Sequence, residues 1–159
     1  MNTKLPYSAT KESIKGYTES KIAFGETNDC VVRAIASSFD VTYDESHNFC
    51  EKTFRRSFRK GVMMFNTQME NFFGKGSKIN NKTVELVGKY SKLYYDVVVK
   101  GETKKRKLTV GTFIKTNPKG TFLVTVSGHA FTIKDGVVMG NFEDAQKTKK
   151  VIQSIWKIV

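Results

Sequence analysis

A chain of 159 residues has the size of one domain and is long enough to bury a core without disulfides or metals. It holds 27 basic residues against 15 acidic ones, a formal net charge of +12, and no apolar run near the ~20 residues that a membrane helix needs. The opening Met1-Asn2-Thr3-Lys4-Leu5-Pro6 lacks the apolar centre of a secretory signal, so a cytoplasmic protein with Cys30 and Cys50 as reduced thiols is expected.

Residues 1–26 are polar, with Gly16 and Gly25 as breakers, and read as an extended arm wrapping a single domain that spans 1–159. Val31, Ala34, Ile35 and Phe39 recur at three-to-four spacing, which predicts a buried helix starting at Cys30 with Asn28 or Asp29 as its cap. Thr42 and Glu45 match a capping box. The helix they open carries Phe49, Thr53 and Phe54 on one face, then Arg55, Arg56, Arg59 and Lys60, and stops at Gly61. Within it Cys50 reads as core and His47 as a solvated surface residue. Thr67 caps a third short helix through Met69, Phe72 and Phe73 to Gly74.

Residues 83–88 and 93–99 are predicted strands, and the charged segment Lys100–Lys107 reads as a solvated connection. Thr109 caps another short helix containing Phe113 and Ile114, which ends before the turn Asn117-Pro118-Lys119-Gly120. Strands follow at Thr121–Ser127 and Ala130–Lys134, and Asp135-Gly136 is a hairpin signal leading into Val137–Met139. The alternation of Ile152, Ser154, Trp156 and Ile158 supplies a last strand that closes the sheet. Helices first and a mostly antiparallel sheet afterwards make an α+β domain.

Cys30, His47, Cys50 and His129 are the whole Cys and His complement. Cys30 stands where a helix begins, and the unpaired N–H groups and dipole of that end favour a thiolate. His129 follows Gly128 between apolar strand residues, where a rigid strand can aim an imidazole at a thiol on a helix tip. A zinc site made of Cys30, His47, Cys50 and His129 is disfavoured, because structural sites use paired short spacings and one close pair is present here. No cofactor is expected.

Asn28-Asp29-Cys30-Val-Val-Arg33-Ala34-Ile-Ala36, with Gly120-Thr-Phe-Leu-Val-Thr-Val-Ser-Gly128-His129 and Asp135-Gly136 about a hundred residues on, resembles papain-like cysteine peptidases. The likeness is nearest to small proteins of bacteriophages and bacteria with an Asn-Asp-Cys helix and a Gly-His strand. It covers roughly 27–40 and 119–141. The resemblance implies a minimal papain-like fold, Cys30 as nucleophile, His129 as general base and acid, and a peptide or protein substrate. It also implies an Asn or Asp after the His that orients the imidazole, with Asn141 first and Asp144 second. The family's oxyanion Gln falls on Phe24 here, so Asn28 is the substitute donor, with the Cys30 backbone N–H beside it.

The clusters Arg55-Arg56-Ser57-Phe58-Arg59-Lys60, Lys104-Lys105-Arg106-Lys107 and Lys147-Thr148-Lys149-Lys150 suggest a second use of the chain. They read as solvated surface or as a region that captures nucleic acid or an acidic protein electrostatically, with Phe58 placed to stack on a base. On that alternative the papain-like scaffold serves binding rather than catalysis.

Overall fold

A computed structural model of the chain describes residues 5–89, 93–140, 142–146 and 149–159. The N-terminal segment is partly structured rather than an extended arm throughout: β1 (Tyr7–Ser8), α1 (Thr10–Ser13) and α2 (Lys21–Gly25) occupy it. The Ser20 hydroxyl caps α2 by accepting the Ala23 N–H at 2.9 Å.

The helical half follows the apolar periodicity. It contains α3 (Cys30–Phe39), α4 (Tyr43–Thr53) and α5 (Phe65–Gly74). The capping box of α4 is formed, with Glu45 N–H on Thr42 Oγ1 and Thr42 N–H on the Glu45 carboxylate. Two boundaries differ from expectation. Helix α4 ends at Thr53, and Arg55 and Arg59 adopt left-handed backbone, so the arginine-rich stretch is a loop. Helix α5 begins at Phe65 after a left-handed Met64, and Thr67 lies inside it rather than at its cap.

The remaining elements are β2 (Val84–Lys89), β3 (Tyr94–Val99), β4 (Glu102–Lys107), α6 (Val110–Thr116), β5 (Thr121–Val126), β6 (His129–Lys134), β7 (Val137–Met139), α7 (Phe142–Ala145) and β8 (Ser154–Ile158). The main sheet runs β1-β7-β6-β5-β8-β2, antiparallel except where β1 joins β7 in parallel. The last strand therefore lies inside the sheet, between β5 and β2, rather than at a closing edge. Lys100–Lys107 is not a mere connection: β4 pairs with β3 from Tyr94↔Lys107 to Val99↔Glu102 as a separate two-stranded ribbon.

Strand alternation divides the core in two. Leu123, Ala130 and Trp156 turn toward α3 and α4, packing with Ile35, Phe39 and Tyr43. Phe122, Val124 and Ile155 turn to the opposite face with Val110 and Phe113. Helix α3 is keyed to β6 by one hydroxyl: Thr132 Oγ1 donates to the Ala34 carbonyl at 2.9 Å and accepts from Ser37 and Ser38 at 2.8 and 2.7 Å. That buried knot fixes the register in which the first residue of α3 meets the first residue of β6. Among the described residues, no helix is long and apolar enough to cross a membrane.

Candidate active site

Cys30 is the first residue of α3 and His129 the first of β6. The two side chains line the same cleft, and the His129 imidazole and the Ala130 backbone N–H both act on the Cys30 sulfur. Burial opposes a thiolate at this position, yet the His129 imidazole, the Ala130 N–H and the charge of Arg33 together hold the thiol below its ordinary value. Cys50 is the internal contrast. It is fully buried in α4, and burial pushes its thiol up to about 12.

His129 Nε2 is 2.5 Å from Asp144 Oδ1, which leaves Nδ1 as the ring nitrogen available to the thiol. Burial works against the imidazolium, but the Asp144 carboxylate and the Cys30 sulfur outweigh it and raise His129 to about 9. The ring also stacks on Phe131, with centroids 5.9 Å apart. Asp144 is carried by α7 and is 3% exposed. Gly140 is what gives the carboxylate its room: a Cβ there would lie 2.3 Å from Asp144 Oδ2. Asp144, the second of the two expected orienting residues, hydrogen-bonds His129, while Asn141 lies outside the described residues.

The loop that delivers Cys30 is pinned by buried charge. Arg56 is 4% exposed and donates to Glu26 at 2.6 Å and to the carbonyls of Thr27 and Asn28 at 3.1 and 3.5 Å. His47 completes the cluster, with Nε2 2.6 Å from the same Glu26 oxygen. It is buried there, not a solvated surface residue. Burial opposes the Glu26 charge, but Arg56, His47 and the Arg59 N–H hold its carboxyl down at about 2. Asp29 is the N-cap residue of α3, but its side chain makes no capping hydrogen bond. Its two oxygens accept from Arg33 Nε at 3.2 Å and Tyr43 Oη at 2.7 Å.

Asn28 is exposed with left-handed backbone, and its amide donates to the Arg59 carbonyl at 3.1 Å. The structure does not bring it to the cleft. Phe24 is 97% exposed and lies away from the cleft as well. Phe58 is half-exposed beneath the Arg59 guanidinium, 5.5 Å from its ring centre.

A cleft of about 430 Å³ opens in front of Cys30 and His129. Val62, Met64 and Phe65 form one wall and Val126 and Gly128 part of the other, with Asn66 and Gln153 contributing amides. These amides carried no motif in the sequence, because nothing local in 61–67 or at 153 reveals that the two segments converge. Among the described residues, no group of three or more His, Cys, Asp or Glu is arranged to hold a metal ion. Compared with protein-family models, curated proteins and solved structures, the chain matches none.

Proposed function

We propose that the chain is a thiol hydrolase on a papain-like scaffold, cutting a peptide or isopeptide bond through an acyl-enzyme on Cys30. The observation that carries this reading is Cys30 and His129 facing one cleft, with His129 hydrogen-bonded to the buried Asp144. In the acylation step the thiolate attacks the carbonyl carbon, and the imidazolium gives its proton to the departing amine. His129 then takes a proton from water, whose oxygen attacks the thioester, and the proton returns to sulfur as the acid leaves. With the Asn28 amide engaged elsewhere, the free N–H groups of the first turn of α3 are the donors for the developing oxyanion.

The test is labelling by iodoacetamide near neutral pH, followed by intact mass. Cys30 is expected to react at least about tenfold faster than a free thiol, and His129→Ala is expected to abolish that advantage. Cys30 reacting no faster than Cys50 in the unfolded chain would remove the enzyme reading.

The β3–β4 ribbon supports a second reading, a basic surface that holds nucleic acid or an acidic protein. All six residues of β4 are exposed, four of them the consecutive cations Lys104 to Lys107. Binding to a duplex oligonucleotide should weaken steeply between 50 and 200 mM salt, roughly as the third to fourth power of concentration for four phosphate contacts. Salt-independent binding, or none, would discard this reading.

A further inference from the structure

Although the chain carries a net charge of +12, its cleft is neutral. Apart from the Cys30–His129 pair, none of the described residues lining it is Asp, Glu, Lys or Arg. Arg33, whose charge reaches Cys30, is itself compensated by the Asp29 carboxylate. A charged group entering this space would lose water without finding a counterion, which is costly, whereas an apolar one would pack against Val62, Met64 and Phe65.

The polar contribution of the wall has a fixed polarity. Trp156 Nε1 is 3.3 Å from the Asn66 side-chain oxygen, and Ser154 Oγ donates to that same atom at 2.9 Å. An indole N–H can only donate, so the atom facing it is the carbonyl oxygen, and the Nδ2 group is turned the other way. Nδ2 has no hydrogen-bond partner among the described residues, and Asn66 lines the cleft. Thr125 Oγ1 is hydrogen-bonded to Ser154 Oγ. Because the Ser154 hydrogen is committed to Asn66, Thr125 is the donor, and the chain Thr125 to Ser154 to Asn66 polarises the amide as a donor. Gln153, also on the wall, has a side-chain amide with no partner among the described residues.

We infer that the substrate segment seated beside Cys30 is uncharged and apolar, with a carbonyl oxygen received by the Asn66 side-chain NH₂. This rests on the thiol hydrolase reading and names its substrate class: a neutral acyl group, amide-rich at most, rather than an acidic or basic one. The basic surface and the cleft then serve different chemistry.

The experiment compares inactivation of the full chain by peptidyl chloromethyl ketones bearing Leu, Glu or Lys next to the reacting carbonyl, with iodoacetamide as an undirected reference. The Leu reagent is expected to react about thirtyfold faster than either charged one, after correction for reagent size with free thiol. Asn66→Asp keeps an acceptor for Ser154 and Trp156 while placing an anion in the cleft. In it the Lys reagent should gain about tenfold relative to Leu. Rapid iodoacetamide labelling with equal rates for the three ketones overturns the assignment and leaves the thiol hydrolase reading standing. Slow labelling of Cys30 by all four reagents removes both. A Leu-to-Lys rate ratio in Asn66→Asp that stays at its wild-type value overturns the role of Asn66. Wild-type discrimination needs no variant and stands even if Asn66→Asp is unstable.

Discussion

Replacing Asp144 by Asn separates charge from hydrogen bonding at His129. The amide oxygen can still accept from Nε2, but the negative charge 2.5 Å from the ring is gone. An imidazolium held at about 9 instead of the ordinary 6.5 is favoured by roughly 3 kcal/mol, reduced to about 2 kcal/mol by the partial exposure of the ring. Asp144 is the largest of the favourable contributors and Cys30 the next, so the variant should titrate His129 at roughly 7 to 8. Histidine ring proton NMR follows this directly, and the two histidines are resolved by comparison with His47→Gln. The pH dependence of iodoacetamide labelling gives the second readout: the thiol of Cys30 should titrate higher in Asp144→Asn, because its imidazolium partner is lost earlier. A His129 midpoint unchanged within about half a pH unit would refute the argument that the carboxylate holds the charge.

Gly140→Ala should disturb the same carboxylate by contact rather than charge, since the added methyl would lie 2.3 Å from Asp144 Oδ2; a loss of about 1–3 kcal/mol in urea unfolding is expected, with slower labelling of Cys30. Arg56→Met leaves Glu26 and His47 buried without their guanidinium, which should cost about 3–5 kcal/mol in urea unfolding. Loss of less than about 1 kcal/mol would show that the cluster is incidental. For pH dependence, His129 is raised in the folded state, so its contribution is fully present below pH 6.5 and is lost as pH rises through about 9. Glu26 is depressed, so its contribution is present above 4.5 and is lost as pH falls through about 2. Glu26→Gln should therefore flatten the acid side of the stability profile and His129→Gln the alkaline side.

Sequence reading located Cys30 at a helix start because the apolar spacing of Val31, Ala34, Ile35 and Phe39 is a local signal, and it placed His129 on a strand for the same reason. What it missed depends on distant partners. Lys104 to Lys107 looked like solvent-loving linker, and they are exposed, but they form β4 because β3 supplies a ladder. His47 was expected to be solvated, and its burial depends on a distant partner, Glu26, 21 residues earlier. The room for the Asp144 carboxylate beside His129 depends on Gly140 lacking a side chain, a steric fact with no one-dimensional trace. Asn28 was the expected substitute for the missing oxyanion Gln, yet with its left-handed backbone its amide donates to the Arg59 carbonyl.

The groups that lower the Cys30 thiol come from almost the opposite end of the chain: Ala130, His129 and, behind them, Asp144. During synthesis α3 leaves the ribosome about a hundred residues ahead of them. Until those strands arrive and Thr132 locks against Ala34, the cysteine is chemically ordinary. The lowering of the thiol is thus coupled to completion of the sheet, and a chain truncated before β6 lacks the groups that produce it.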